Sequence, residues 1–95
     1  MAEKMILEIP VHAEKREEFI GVLNQALTET RAYEGNLTST VWTPEDDDGK
    51  VWIYEEWETR DNQAAYFNWR IETGMMDALA PFLDGEPRVI WLIEH

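Results

Sequence analysis

The feature that most constrains the fold is a predicted strand, of sequence VWIYEEWE, with apolar side chains on both faces. Val51, Ile53 and Trp57 lie on one face of this strand, whereas Trp52 and Tyr54 lie on the other. Successive side chains of a strand alternate between the two faces of its sheet. A sheet built around this strand therefore needs apolar cover on both sides, whereas many antiparallel sheets leave one side to water.

Alternation and helical spacing along the rest of the chain predict four strands and two main helices. The strands are expected at residues 5–11, 37–43, 51–58 and 88–93, the helices at 12–33 and 62–72, and a further helical piece at 75–83. Asp61 is the expected N-cap of the second helix, and Gly35 is the stop signal of the first. The order βαββαβ predicts an α+β, ferredoxin-like fold, with a four-stranded antiparallel sheet covered by helices on one face. A chain of 95 residues has the length of a single domain, here residues 1–95.

The last predicted strand is also apolar on both faces, because Val89, Trp91 and Ile93 alternate with Ile90 and Leu92. One chain of this order has helices for one face of the sheet alone. The other face would be an exposed apolar patch on the order of several hundred Å2, which monomeric proteins seldom carry. We therefore expect a homodimer in which two sheets pack face to face.

Charge and composition argue against several classes of partner. The chain has 20 Asp and Glu against 8 Lys and Arg, a net charge of −12, which disfavours binding to nucleic acid or to an anionic membrane surface. The absence of Cys excludes disulfides and thiolate sites and agrees with a cytoplasmic location. No apolar run approaches the roughly 18 residues of a membrane span, and no signal peptide is expected.

Several kinds of chemistry are also disfavoured. The sequence has no glycine-rich nucleotide motif, and its only Ser, Ser39, lies within a predicted strand. The two His, His12 and His95, show no metal-ligand spacing. The acidic run 46–49 is interpreted as a solvated turn rather than a calcium loop, because Trp57 occupies the twelfth position, where the loop needs Glu. We expect neither a metal nor a cofactor.

His12 and a group of aromatic residues are candidates for function. His12 lies where the first strand passes into the first helix, and it is either a general base or a capping or surface residue. Trp57 ends the third strand, and Tyr66, Phe67 and Trp69 follow on the second helix. A helix that folds back on the sheet could bring these rings together as the wall of a pocket, or they could be plain core.

Two charged residues complete the candidate site. Arg70 lies one turn beyond Tyr66, where it could hold an anionic substrate oxygen or pair with one of the many carboxylates. Glu55 alternates with Ile53 and Trp57 on an apolar face, so burial is expected to raise its pKa. Glu55 is therefore a candidate base, or else a partner for an Arg across the dimer, such as Arg88.

Four stretches of the sequence resemble the antibiotic biosynthesis monooxygenase domain. They are Arg31–Asn36, Val51–Asp61, Tyr66–Gly74 and Pro87–Trp91, which together reach across nearly the whole chain. The resemblance implies a dimeric α+β barrel. It also implies enzymes that oxygenate phenols or hydroquinones of polycyclic aromatic compounds without flavin, haem or metal.

The resemblance carries over to few site residues. Trp57 matches the tryptophan that borders the pocket in the quinone-forming and haem-degrading branches of the family. The haem-degrading branch also has an Asn on the first strand, which is missing here, and a His on the second helix, at the position of Phe67. The resemblance therefore argues against haem degradation, and it leaves Tyr66 to take the polar role on this helix.

These observations lead to the hypothesis of a cofactor-independent monooxygenase acting on a small aromatic phenol or hydroquinone. The residues expected to act are Trp57, Phe67 and Trp69 as walls, Tyr66 with His12 or Glu55 in proton handling, and Arg70 in positioning an oxygen. Two alternatives use the same scaffold. One is a non-catalytic dimeric barrel that binds a hydrophobic small molecule, and the other is an isomerase.

Overall fold

The computed structural model describes residues 2–95, which form four strands and three α-helices. In chain order they are β1 (Glu3–Pro10), α1 (Arg16–Ala32), β2 (Asn36–Trp42), β3 (Lys50–Trp57), α2 (Arg60–Glu72), α3 (Met75–Leu79) and β4 (Arg88–Leu92). Single 3-10 turns precede α1 and follow α3. Within residues 2–95, none of the helices has both the length and the apolar character needed to cross a membrane.

The four strands form one antiparallel sheet in the order β2-β3-β1-β4. The central strand pair sets the register, in which Leu7 of β1 lies between Ile53 of β3 and Val89 of β4. Since directly opposed residues point to the same face, these three side chains share the face toward the helices. The α+β, ferredoxin-like fold predicted from the order of elements is confirmed.

The core lies between this sheet and α1. Along β3 the odd-numbered residues from Val51 to Trp57 are all buried and the residues between them are partly exposed, which is the alternation that a sheet covered on one face requires. The core cluster consists of Ile9, Val11, Phe19, Leu23, Leu27, Val51, Ile53 and Leu79. The α1 residues among them recur every four positions, so one helix stripe meets one sheet face.

One predicted helix cap is wrong, and the first helical segment, which has His12 as its N-cap, begins with a different helix type than predicted. Asp61 is not the N-cap of α2, because Thr59 is extended and its hydroxyl oxygen accepts from the Asn62 backbone N–H at 3.1 Å. Asp61 lies instead in the first turn, where its negative charge interacts favourably with the positive end of the helix dipole. The first helix, predicted from His12, begins as a 3-10 turn and becomes α-helical at Arg16.

The outer face of the sheet, turned away from the helices, is apolar in its middle, whereas Glu8, Glu56 and Arg88 lie toward its ends. Ile6 opposes Tyr54 there, and Trp42 opposes Trp52. These four side chains and Thr43 line an open groove. Trp42 is 59% exposed, which is unusual for so large an apolar ring. We call this groove the outer-face groove.

A close contact ties the end of α1 to the start of α2. Gly35 has a φ of +87°, and a Cβ built on it would lie 2.3 Å from Asn62 Cγ. The Gly35 carbonyl also accepts from the Glu58 N–H at 2.8 Å. A glycine at this position therefore lets the β2–β3 end of the sheet meet the N-terminus of α2.

We predict that Gly35→Ala lowers the free energy of unfolding by about 3 kcal/mol. Left-handed backbone strain contributes about 1–2 kcal/mol, and the overlap with Asn62 the rest. Gly74→Ala is the matched control, because Gly74 has a φ of +83° with open space around it. It should cost only about 1–2 kcal/mol. Urea unfolding followed by circular dichroism measures both, and equal losses would contradict the contact.

Candidate functional site

A cavity of about 80 Å3 lies between the helix side of the sheet and the helices. Its walls come from β1, α1, β3, α2, α3 and β4, and most of them are apolar. Five polar side chains also reach it, namely Thr30, Glu55, Gln63, Tyr66 and Arg70. A mostly apolar cavity with a few convergent polar groups is the usual form of a small-molecule site.

Glu55 is the acidic group of this cavity. It lies in mid-strand on β3, where its register partners are Met5 and Ser39, and it is only 5% exposed. Burial raises the pKa of the Glu55 carboxyl above its ordinary value, as its place on an apolar strand face predicted. The Trp57 Nε1–H donates to Glu55 Oε1 at 3.0 Å, which lowers the pKa, and the positive charge of Arg70 lowers it further. Together these two effects only partly offset the increase caused by burial.

Arg70 and Tyr66 form the polar wall on α2. They are four residues apart, so they share one face of the helix. Arg70 is 4% exposed, and its Nε donates to the Tyr66 hydroxyl at 2.7 Å. Its Nη2 donates to the Ala26 carbonyl at 2.8 Å, and the Tyr66 hydroxyl lies 2.6 Å from Thr30 Oγ1. The buried guanidinium is thus satisfied mainly by neutral acceptors on α1.

A cluster of aromatic rings supports this wall. Trp57 is fully buried, with its ring centroid 5.2 Å from that of Tyr66. Tyr33 lies 5.3 Å from Tyr66 and 5.5 Å from Trp69. The Arg70 guanidinium lies 4.6 Å from the Trp69 ring centroid, a cation–π contact. Trp57 therefore holds both Glu55 and Tyr66, whereas Trp69 packs behind Tyr66 and is not part of the cavity wall.

The structure places four of the seven candidate residues in the cavity wall, two behind the wall and one away from it. Glu55, Tyr66, Phe67 and Arg70 line the cavity, and Trp57 contacts two of them. Phe67 is 39% exposed and lies at the mouth rather than in the core. Trp69 lies behind the wall. His12 follows the far end of β1, with its Nδ1 3.8 Å from Asp84 Oδ1, and takes no part in the lining.

The two arginines considered as charge partners each form an ion pair with a glutamate other than Glu55. Arg88 lies 3.8 Å from Glu8, on the outer face of the sheet, so it does not share a face with Glu55. Arg70 pairs with Glu29, with Nη1 and Oε1 3.8 Å apart, which agrees with the expectation that it pairs with a carboxylate. Its closer contacts are the hydroxyl and carbonyl groups described above.

Sequence patterns did not identify most of the lining residues, among them Thr30, Gln63 and Met75. Thr30 belongs to the apolar stripe of α1 and is fully buried, yet its hydroxyl contacts Tyr66. Gln63 and Met75 reach the cavity because α2 and α3 fold back over the sheet. A buried Thr on a helix stripe needs a hydrogen-bond partner, and this need is the one signal that pointed to Thr30. Within residues 2–95, no three His, Asp or Glu side chains converge as metal ligands would.

The chain belongs to the antibiotic biosynthesis monooxygenase family. The sequence profile of that family matches residues 4–78, which is most of the chain. No curated protein matches the chain significantly.

Solved structures share the whole fold. A conserved protein from Methanosarcina mazei Go1 superposes with a TM-score of 0.86 at 19% identity, over 100% of this chain and 94% of that one. A protein from Nitrosomonas europaea, provisionally described as an antibiotic biosynthesis monooxygenase, gives 0.79 at 21% identity, over 96% and 88%. A similarly described protein from Caulobacter crescentus CB15 gives 0.84 at 17% identity, over 96% and 87%. At these identities the likeness concerns the fold.

We predict that Glu55→Gln stabilises the protein more at pH 8 than at pH 4. With the pKa of Glu55 raised in the folded state, the folded protein holds a proton that the unfolded chain has lost, so stability falls as pH rises above the ordinary value of 4.5. Gln keeps an acceptor for Trp57 and removes this dependence. Urea unfolding at both pH values measures the difference, with exposed Glu58→Gln as control. A stability difference that is the same at both pH values would contradict a raised pKa.

Proposed function

We propose that the protein is a cofactor-independent monooxygenase that oxidises a small aromatic phenol or hydroquinone in the cavity between sheet and helices. The observation that carries the proposal is the buried Glu55 carboxyl in the wall of this cavity. Trp57 donates a hydrogen bond to one oxygen of the Glu55 carboxylate, so the other oxygen can take a proton from a bound ligand. Membership of the antibiotic biosynthesis monooxygenase family supports the reaction class.

Glu55 has the properties of a general base. A base works best when its pKa lies near the operating pH, and burial moves the pKa of Glu55 in that direction. The apolar walls exclude water from the carboxylate and from any phenolate formed beside it. Three Met side chains, Met5, Met75 and Met76, line the cavity and can adjust to the shape of a ring.

In the proposed reaction, the Glu55 carboxylate takes the hydroxyl proton of the phenol, and the phenolate transfers an electron to O2. Recombination forms a C–O bond at a ring carbon that carries hydrogen and lies ortho or para to the hydroxyl, and Glu55 returns its proton to the distal peroxide oxygen. The hydrogen on that carbon and the terminal OH of the peroxide then leave together as water. This breaks the C–H and O–O bonds and leaves a quinone. One atom of O2 enters the product, the other leaves as water, and the substrate supplies all four electrons.

The other site residues have supporting roles in this proposal. The positive charge of Arg70 stabilises the phenolate and peroxide oxygens as they form. Tyr66, held by Arg70 and Thr30, presents its hydroxyl at a set position for a ligand oxygen. Trp57 orients Glu55, Phe67 forms the outer wall, and Trp69 backs Tyr66. Proton handling is assigned to Glu55 and Tyr66 rather than to His12, which lies beyond the far end of β1.

We predict O2 uptake with simple hydroquinones and anthrones in the absence of added cofactor. Glu55→Gln should lower kcat/KM by about 10²–10⁴-fold, the usual contribution of a general base. Glu58→Gln, an exposed carboxylate beyond β3, should leave it unchanged. An oxygen electrode with product analysis measures both. Ligand turnover without O2 uptake would favour the isomerase, and tight binding without turnover would favour the apolar binding protein.

The pH profile gives an independent check on the base. Because Glu55 must be ionised to accept a proton, kcat/KM should rise with pH, with a midpoint above the ordinary value of 4.5. Steady-state rates from pH 4 to 9 measure this midpoint. A rate that falls through the same range would contradict Glu55 as the base.

We also propose that the active form is a homodimer joined through the outer-face groove, with a cytoplasmic location. Trp42, Trp52, Tyr54 and Ile6 present an apolar surface there, and helices cover only the opposite face. Packing two such faces together buries side chains on both sides of each sheet. The absence of Cys supports the location.

We predict that Trp42→Glu weakens self-association by about 30-fold or more. Loss of a central Trp at an interface commonly costs at least about 2 kcal/mol, and the new charges would face each other across it. Ile71→Glu on exposed α2 is the control and should leave the dimer intact. Sedimentation at micromolar concentration measures both variants. A wild-type protein that sediments as a monomer there would overturn the proposed dimer.

A further inference from the structure

The cavity is too small to enclose a substituted aromatic ring completely. Its volume is about 80 Å3, whereas an engineered apolar cavity of about 150 Å3 in another protein binds benzene. A phenol ring placed against Glu55 would therefore fill the cavity and extend into its mouth. Whatever the ring carries on the side away from Glu55 must lie outside.

The mouth of the cavity is apolar and partly exposed. Phe67, Met76 and Val89 all line the cavity, yet they are 39%, 38% and 43% exposed. These side chains belong to α2, α3 and β4, so three separate elements contribute apolar surface to the opening. Their exposed portions would gain free energy if an apolar group of the ligand covered them.

The apolar surface continues beyond the mouth along α2. Ile71 lies four residues after Phe67 and therefore on the same helix face, and it is 49% exposed. We call Phe67, Ile71, Met76 and Val89 the rim track. Glu72 and Asp77, both exposed, flank this track in the sequence, and the chain as a whole carries a net charge of −12. A negatively charged group on the track would be repelled.

We infer that the substrate is a phenol or hydroquinone with an uncharged aliphatic chain on its ring. The ring occupies the cavity beside Glu55, and the chain leaves through the mouth and lies on the rim track. The position of the ring rests on the proposed function, whereas the chain-binding rim rests on the exposed apolar side chains alone.

Calorimetric titration without O2 tests the inference through a ratio of affinities. The probes are 4-methylphenol, 4-butylphenol and 4-(4-hydroxyphenyl)butanoate. Full burial of one CH2 tightens binding about fourfold, and a half-exposed rim is expected to give about twofold. The butyl compound should then bind about eightfold more tightly than the methyl compound, and the carboxylate compound should bind no more tightly than the methyl compound.

Variants locate the chain. Ile71→Gln should reduce the butyl-to-methyl ratio to about fourfold or less, because it removes part of the rim track. Leu37→Gln, an equally exposed position on β2, should preserve the ratio. An unchanged ratio in Ile71→Gln would overturn the inference. So would a reduction in Trp42→Gln alone, which would place the chain in the outer-face groove.

The outcome separates this inference from the proposed function. Uptake of O2 with 4-methylphenol and a butyl-to-methyl ratio near one would overturn the aliphatic chain and retain the monooxygenase. A ratio that depends on Ile71, without O2 uptake by any of the probes, would retain the rim track as a chain-binding surface and overturn the monooxygenase.

Discussion

The structure depends on a carboxyl group buried in the middle of a strand. Glu55 occupies a position that strand alternation assigns to the core, between Ile53 and Trp57. Burying an ionisable group there is costly unless other groups compensate it. Trp57 donates a hydrogen bond and Arg70 contributes a positive charge, but burial still prevails and the pKa of the carboxyl is raised. The cavity, the aromatic cluster and the buried guanidinium are all arranged around this one group.

The same strand also contributes side chains to both faces of the sheet, which have different surroundings. The residues of β3 that face the helices close a small internal cavity, whereas Trp52 and Tyr54 face outward into an apolar groove. The proposed function uses the first face for a small aromatic ligand, and the proposed dimer uses the second for another sheet. In a chain of 95 residues, which buries a modest share of its surface, packing on both faces would add to a limited core.

Regular patterns predicted the fold, whereas hydrogen bonding changed its details. Alternation in β3 and helical spacing in α1 and α2 predicted these elements within a few residues, and Glu55, Tyr66 and Arg70 followed from the same rules. Thr59 rather than Asp61 caps α2, because the cap depends on which hydroxyl reaches a free N–H. Trp69 is three residues after Tyr66 and contacts its ring, as helical spacing allows, but it also packs against Tyr33 of another element and does not line the cavity.

Local periodicity is sufficient to assign a residue to a face, and the sequence therefore determined the order of elements along the chain, the apolar residues on both faces of β3 and the burial of Glu55. Which faces meet is a matter of long-range packing. Only the tertiary structure placed Thr30 of α1 against Tyr66 of α2 and gave the Arg70 guanidinium a hydrogen bond to the Ala26 carbonyl. It also placed His12 beyond the far end of β1, near Asp84. The two hydrogen bonds join residues 36 and 44 positions apart, and no pattern within one helix or strand encodes such a distance.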